Sequence, residues 1–299
     1  MSKYLIKGAS LYGEKVADIL IEDGVISRIA ENIDAADAQV VEAAGQVALP
    51  GLVDIHTHLR QPGYEASETV ETGTRAAALG GYTAVFAMAN SMPVADTAAV
   101  VEQVDRLGKE SAWCRVQPIG AVTVGLKGER LSDIGGMANS TANVRVFSDD
   151  GMCVYDPAVM RRALEYVKTF DGVIAQHAQE PRLTEGAQMN EGKVSADLGL
   201  TGWPAVAEEA IIARDVLLAE HLDSKLHICH LSTKGSIEVV RWAKSRGVKV
   251  TAEATPHHLL LTDETARTYD PVFKVNPPLR TEEDVMALRQ AVADGIIDV

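Results

Sequence analysis

Two histidines one residue apart are the part of this sequence best suited to chemistry. They lie in the run Asp54-Ile55-His56-Thr57-His58-Leu59-Arg60, which follows the apolar stretch 47–53. That stretch predicts a short buried strand, and alternate residues of a strand point the same way. His56 and His58 should therefore face one point, where paired neutral imidazoles form a transition-metal site. The alternative is a chance pair on a half-buried strand.

The composition limits the class of protein to which this chain can belong. The chain has 299 residues, of which 46% are apolar and only 5% aromatic, so its core must be aliphatic, as in parallel α/β folds. The net charge of −14 argues against nucleic-acid binding, and no apolar run approaches membrane length. Three widely spaced cysteines and no signal-peptide pattern favour the reducing cytoplasm.

The elements that must position the histidines follow a regular pattern. Residues 1–49 predict a small β element, with strands at 4–9, 17–22 and 25–30. From residue 50 onwards strands and helices alternate. The predicted strands are 52–56, 82–89, 115–124, 144–147, 172–176, 225–229 and 248–253, and residues 296–299 begin an eighth. The predicted helices are 67–79, 97–107, 131–138, 157–170, 204–222, 235–245 and 282–293. This order predicts an α/β fold, a TIM-type (β/α)8 barrel over residues 50–299, with its eighth strand incomplete.

A barrel of this type predicts where the functional residues lie in the sequence. Its chemistry lies at the C-terminal ends of the strands, so site residues should directly follow the apolar runs. Polar candidates do occur there: His56 and His58 on the first predicted strand, Asn90 after the second, Asp149 and Asp150 after the fourth, His177 after the fifth and His230 after the sixth. Four histidines and an acidic pair are the ligand set for two divalent metals that share a carboxylate.

Each candidate also has a plainer interpretation when it is taken alone. His177 or His230 could be a hydrogen-bonded core histidine, and Asp-Asp-Gly at 149–151 is ordinary turn chemistry. The other histidines and cysteines near the predicted mouth are assigned to packing or support: His227, His257, His258, Cys153 and Cys229. The joint placement of the candidates, rather than any single one, predicts the dinuclear centre.

Four motifs resemble those of the bacterial dihydroorotases of the longer-chain type, which belong to the amidohydrolase superfamily. They are His-Thr-His-Leu-Arg-Gln-Pro-Gly at 56–63, Phe-Ser-Asp-Asp-Gly at 147–151, His-Leu-Ser-Thr at 230–233 and Asn-Pro-Pro-Leu-Arg at 276–280. The resemblance extends over residues 1–299. It implies a dinuclear Zn2+ centre, with two ions per chain, in a TIM barrel whose small β domain the family completes from a C-terminal segment.

The resemblance also assigns the metal ligands. It implies that His56 and His58 bind one zinc, that His177 and His230 bind the other, and that Asp150 bridges them, with Asp149 as the alternative. Many related cyclic amidohydrolases bridge their metals with a carboxylated lysine. The predicted fourth strand, Val144-Arg145-Val146-Phe147, contains no lysine, which favours the aspartate-bridged type.

The implied reaction is the reversible interconversion of L-dihydroorotate and N-carbamoyl-L-aspartate in de novo pyrimidine biosynthesis, through a metal-bridging hydroxide. Arg60 offers a bidentate fork for the substrate carboxylate, although a surface ion pair is the plainer alternative. Asn90 and Asn276 resemble the family's amide contacts to substrate. We also expect a homo-oligomer, or a complex with aspartate transcarbamoylase, which family members can form.

Two other functions stay open at this point. One is a different cyclic amidohydrolase, such as a hydantoinase or allantoinase. The other is a catalytically silent dihydroorotase-like subunit that serves in assembly.

Three departures from the family pattern qualify the resemblance. The chain has Met88-Ala89-Asn90 where the family usually has Met-Pro-Asn, and Gln61 replaces a glutamate. In the family, strand 8 continues into a segment with a metal-binding catalytic aspartate, which would lie just past Val299. We therefore expect residues 1–299 to belong to a longer protein and to be inactive by themselves.

Overall fold

The computed structural model describes residues 2–299, which form two compact units; the chain passes from one to the other between Leu52 and Val53. The smaller unit is a β-sheet. Its strands are β1 (Lys3–Leu11), β2 (Lys15–Glu22), β3 (Val25–Ala30), β4 (Gln39–Glu42) and β5 (Val47–Ala48). They lie in the order β3-β2-β1-β4, with β5 beside β1. Leu5, Leu20 and Ile33 form a small apolar core in this unit.

The larger unit is built on parallel strands. Its strands are β6 (Leu52–Thr57), β7 (Tyr82–Ala87), β8 (Arg115–Pro118), β9 (Val146–Phe147), β10 (Val173–Gln176), β11 (Met189–Asn190), β12 (Gly202–Trp203), β13 (Leu226–Ile228) and β14 (Val250–Ala252). Two sheets, β6-β7-β8 and β9-β10-β13-β14, are joined by a parallel bridge between Gly120 and Phe147. This is the strand order of a (β/α) barrel.

The last two residues continue this order. The amide of Asp298 donates to the Ala252 carbonyl, and the amide of Ala254 donates to the Val299 carbonyl, both at 2.9 Å. The start of the predicted eighth strand therefore lies beside β14.

Helices connect the strands of the larger unit. They are α1 (Val70–Leu79), α2 (Ala98–Ser111), α3 (Ile134–Asn139), α4 (Pro157–Val167), α5 (Lys193–Leu198), α6 (Val206–Leu222), α7 (Lys234–Ser245), α8 (Pro256–Leu260) and α9 (Glu282–Ala293). Short 3-10 turns cover Val124–Leu126, Lys168–Phe170, Asp263–Thr268 and Pro271–Phe273. Several helices begin at the residues expected from capping chemistry: Asp156, for example, accepts from the amides of Ala158 and Val159 ahead of Pro157. Among residues 2–299, none of these helices combines the length and apolarity that crossing a bilayer requires.

The structure differs from the predicted elements most clearly in two places, besides shifts of a few residues at other ends and the short helix α8, which was not predicted. The third strand, expected over 115–124, ends at Pro118, because the chain then turns away and the amides of Val122 and Thr123 bond to the Asp149 side chain. The glycine-rich stretch 186–202, for which the sequence predicts neither a strand nor a helix, contains β11, α5 and the first residue of β12. Two-residue strands are too short to leave an alternating pattern in the sequence.

The main core lies between the parallel strands and the helices. Ile174 and Leu226 from the strands, and Leu164 and Ile212 from the helices, are at most 1% exposed and belong to one apolar cluster. Burial of such a side chain contributes roughly 1.5–3 kcal/mol. The core is therefore aliphatic, as the low aromatic content predicts, and it fixes the strand ends that carry the site.

Candidate metal centre

Four histidine side chains surround the carboxylate of Asp150. The Oδ1 atom lies 3.3 Å from His56 Nε2, 3.4 Å from His177 Nδ1 and 3.2 Å from His230 Nε2, and Oδ2 lies 3.4 Å from His58 Nε2. All five predicted metal ligands are thus gathered at one point. Asp150 is 4% exposed, His177 2% and His230 7%.

The ends of four strands place these side chains. His56 lies within β6 and His58 just beyond it, Asp150 follows β9, His177 directly follows β10, and His230 comes two residues after β13. The backbone of His230 is in the left-handed region, with φ 33°, and so is that of Arg60, with φ 61°. Residues other than glycine seldom adopt this conformation, and apart from turns and helix ends such strained residues cluster at active sites.

Asp149, the alternative bridging residue, faces a different part of the protein. Its Oδ1 accepts from the amides of Val122 at 2.8 Å and Thr123 at 3.0 Å, and its Oδ2 accepts from the Thr123 hydroxyl. Burial raises the pKa of Asp149 to about 6, against the effect of these hydrogen bonds. Asp149 therefore supports the loop after β8, while its neighbour Asp150 faces the histidines.

The electrostatics of the cluster suit a cation. Burial opposes ionisation of Asp150, but hydrogen bonds from His177, His230 and His56 hold its pKa well below the usual range. Burial lowers the pKa of His58 and of His230. At His56 burial acts in the same direction, but hydrogen bonds to Asp150 and Glu253 outweigh it and raise the pKa. Neutral imidazoles and an ionised carboxylate are the forms of these groups that bind metals.

A carboxylate that the sequence analysis did not select supports the centre. Glu253, directly after β14, has Oε1 2.5 Å from His56 Nδ1 and accepts from the His230 amide at 3.1 Å. Its Oε2 lies 3.1 Å from His227 Nε2. Glu253 thus accepts the Nδ1–H of His56 and leaves Nε2 facing Asp150, as carboxylates do behind metal-bound histidines. His227, assigned to packing from the sequence, is joined to the centre through Glu253.

Glu253→Gln is therefore expected to lower the zinc affinity of the protein by about 10- to 100-fold, the usual cost of losing such a support. Competition with a chromophoric chelator measures this affinity. Glu264→Gln is a matched control, because Glu264 is an exposed glutamate that pairs with Arg267. Equal affinity in the two variants would show that Glu253 does not orient His56.

The three residues predicted to bind substrate lie in different surroundings. Asn90 Oδ1 accepts from His58 Nδ1 at 3.0 Å, so Asn90 supports a candidate metal ligand directly. Asn276 is exposed and lines a cavity of about 420 Å3 together with His56, His58, His230 and His257. Arg60 is exposed, and its charge contributes to lowering the pKa of His58.

Two of the sequence motifs are tied together by one arginine. Arg280 is 1% exposed and donates to Ser232 Oγ at 3.0 Å, to Asn190 Oδ1 at 3.0 Å and to the Trp203 carbonyl at 2.8 Å. It thus connects the segment 276–280 with the segment 230–233, which begins at His230. Arg145, directly before β9, donates instead to the Ala138 and Val144 carbonyls and not to any residue of the centre.

Solved structures of hydantoinases share the architecture of this chain. The chain superposes on the L-hydantoinase (dihydropyrimidinase) from Arthrobacter aurescens with a TM-score of 0.81, at 23% identity over 100% of this chain and 68% of that one. A D-hydantoinase from a Bacillus sp. AR9 gives a TM-score of 0.81 at 21% identity over 99% and 67%. These likenesses confirm that the chain belongs to the class of TIM-type barrel proteins.

Sequence comparisons identify the family within that class. A family model described as dihydro-orotase-like matches residues 45–236. The chain is 71% identical to the dihydroorotase of Streptomyces coelicolor over 100% of its own length and 70% of that protein. The identity to the dihydroorotase of Leifsonia xyli is 67%, over 99% and 68%. The Mycobacterium tuberculosis dihydroorotase is 55% identical, over 98% and 69%. The chain belongs to the dihydroorotase family.

Proposed function

We propose that this protein interconverts L-dihydroorotate and N-carbamoyl-L-aspartate at a dinuclear zinc centre formed by His56, His58, Asp150, His177 and His230. The observation that carries the proposal is the Asp150 carboxylate, within 3.2–3.4 Å of a nitrogen of each of the four histidines. Membership of the dihydroorotase family supports the same reaction.

The donor set fits zinc. Histidine nitrogens and a carboxylate oxygen are ordinary zinc ligands, and a buried carboxylate with two oxygens can bridge two ions. When bound, two zinc ions would supply an activated hydroxide at neutral pH and would polarise the carbonyl of the ring amide.

The protein's own groups prepare this chemistry. Glu253 and Asn90 accept the Nδ1–H protons of His56 and His58, so that the opposite nitrogens face Asp150. On His177 the roles of the nitrogens are reversed: Nε2 donates to Gln179 Oε1 at 2.8 Å, and Nδ1 faces Asp150. Each of these three rings is thereby fixed in one orientation before any ligand binds.

The proposal is tested on the full-length protein by zinc analysis together with assays on dihydroorotate, carbamoyl aspartate and hydantoin. About two zincs per chain and activity on the first two substrates are expected. Activity on hydantoin alone would indicate a different cyclic amidohydrolase. A folded protein that binds no zinc and turns over no substrate would indicate a silent assembly subunit.

Arg60→Lys is expected to raise the KM for dihydroorotate about tenfold or more and to change kcat much less. The guanidinium forms two parallel hydrogen bonds to a carboxylate, and the ammonium cannot reproduce this fork. A hydrogen bond to a charged group contributes about 1.5–3 kcal/mol. Steady-state kinetics measure the change. Arg75→Lys on the exposed face of α1 is the control, and the same KM in both variants would make Arg60 a surface residue.

We also propose a cytoplasmic homo-oligomer, which in some settings associates with aspartate transcarbamoylase. The free thiols of Cys114, Cys153 and Cys229 support a reducing compartment. Exposed apolar side chains on β3, such as Ile26 and Ile29, support burial against another surface. Sedimentation of the protein, alone and mixed with the transcarbamoylase, tests both associations.

A further inference from the structure

A single glutamine side chain lies between three groups around the candidate centre. Gln179 lies two residues beyond His177, in the loop between β10 and β11, and is half-buried. Its Oε1 lies 2.8 Å from His177 Nε2 and 3.5 Å from Asn276 Nδ2, and its Nε2 lies 2.8 Å from Thr184 Oγ1. One amide thus contacts a proposed metal ligand and a proposed substrate contact.

Thr184 determines which end of this amide faces His177. Thr184 is 6% exposed, and its hydroxyl lies 3.2 Å from the Glu180 carbonyl and 3.3 Å from the Pro181 carbonyl. Because a carbonyl can only accept, the single hydroxyl proton is directed to these two groups, and Thr184 Oγ1 accepts from Gln179. The NH2 group of Gln179 therefore points at Thr184, and Oε1 points at the imidazole.

The orientation of the amide decides which nitrogen of His177 carries the proton. A neutral imidazole has one N–H, and two acceptors compete for it: Gln179 Oε1 at 2.8 Å from Nε2, and Asp150 Oδ1 at 3.4 Å from Nδ1. A proton on Nδ1 would occupy the lone pair that a metal ion needs. We propose that Gln179, held by Thr184, is a positioning residue that keeps the proton of His177 on Nε2 and leaves Nδ1 for the metal.

The same oxygen restrains the proposed substrate contact. Asn276 is exposed and lines the cavity of about 420 Å3, and its Nδ2 donates to Gln179 Oε1. An exposed side chain loses rotamer freedom when it binds a ligand, and this bond removes part of that freedom in advance. Gln179 therefore acts on both metal and substrate, and in both respects the inference rests on the proposed function.

Nuclear magnetic resonance of the full-length, metal-free protein with isotope-labelled histidine measures the proton position directly, because protonated and unprotonated ring nitrogens differ in chemical shift. The signals of His177 are identified by their loss in His177→Ala. At alkaline pH we expect the proton on Nε2 in the unmodified protein. Gln179→Leu and Thr184→Val should both shift it toward Nδ1, whereas Thr184→Ser, which keeps the hydroxyl, should not.

A double variant separates orientation of the amide from support of the loop. Gln179→Glu replaces the NH2 group with a second acceptor, so that either oxygen can face His177 and Thr184 is no longer needed to orient the side chain. The proton should therefore stay on Nε2 in Gln179→Glu, and also when Gln179→Glu is combined with Thr184→Val. If Thr184→Val shifted the proton equally in both backgrounds, Thr184 would act through packing alone and the proposal would be overturned.

Metal binding and kinetics should change in the same series. Gln179→Leu should lower the zinc affinity about 10- to 100-fold. At saturating zinc it should raise the KM for dihydroorotate about two- to tenfold through Asn276, the usual effect of one hydrogen bond. Thr74→Val is the control, because Thr74 is a buried threonine of α1 whose hydroxyl donates to the Val70 carbonyl at 2.6 Å. It should change neither the zinc affinity nor the proton position.

The two proposals fail in different ways. If the unmodified protein binds zinc but the proton of His177 stays on Nε2 in Gln179→Leu, the role of Gln179 is refuted and the proposed function stands. If the proton moves as expected but the unmodified protein binds no zinc, the proposed function is refuted and the role of Gln179 in orienting His177 stands.

Discussion

Asp150→Asn is expected to lower the turnover of dihydroorotate by roughly a thousandfold. The asparagine keeps the shape of the side chain but loses the negative charge that lies within 3.2–3.4 Å of four histidine nitrogens. Metal activation is worth several kcal/mol, and about 1.4 kcal/mol corresponds to a factor of ten. Single-turnover kinetics and zinc analysis of the variant measure the two losses together.

The neighbouring aspartate is the matched control. Asp149→Asn removes a carboxylate of the same size, one residue away, that bonds to Thr123 rather than to the histidines. We expect it to lower the free energy of unfolding by about 1–3 kcal/mol, the cost of leaving buried donors unpaired, while zinc content stays unchanged. If Asp149→Asn lost zinc and Asp150→Asn kept it, the two assignments would have to be exchanged.

The second large effect is expected for His177→Ala, which should lose about one zinc per chain and nearly all activity. The variant removes the Nδ1 atom 3.4 Å from Asp150 and leaves a buried gap beside His230, whose Nε2 lies 2.9 Å from that atom. Loss of one metal ion removes its share of the several kcal/mol that metal activation provides. Zinc analysis and the dihydroorotate assay measure the outcome.

His221→Ala controls for the loss of a histidine as such, because His221 is exposed in the last turn of α6. It should keep two zincs and normal activity. The site would be refuted if His177→Ala also retained both zincs and turned over substrate at the normal rate.

Much of the fold could be predicted because the strands and helices of a barrel alternate and leave two different periods in the sequence. The strand ends could therefore be predicted, and so could the side chains that lie at the C-terminal mouth of the barrel. The stretch 186–202 was not, because β11 and β12 contribute two residues each and pair only through tertiary contacts. The early end of β8 at Pro118 likewise depends on Asp149, which is distant in sequence.

The candidate site could be predicted only where the residue type itself indicates the chemistry. Histidines after apolar runs did so, whereas Glu253 was missed although it ends the predicted strand 248–253. A glutamate at a strand end usually faces water, and only the ring of His56 beside it reveals its role. The orientation of Asp149 and Asp150 also depended on a partner elsewhere, the loop at Thr123. Local sequence patterns therefore predict the candidate metal-binding residues better than they predict the side chains, such as Glu253, that orient those residues.

The left-handed backbone at Arg60 and His230 has a consequence for attempts to engineer heat resistance. A side chain in this conformation costs about 1 kcal/mol or more that glycine would avoid, so both positions store strain in the native state. A library screened only for melting temperature would favour glycine at exposed Arg60 and would discard the guanidinium. At His230 glycine would also leave a buried gap beside Asp150, which opposes the gain from relieved strain. Screening of such a library must include a selection for turnover, because at Arg60 heat resistance and the proposed contact with substrate favour different residues.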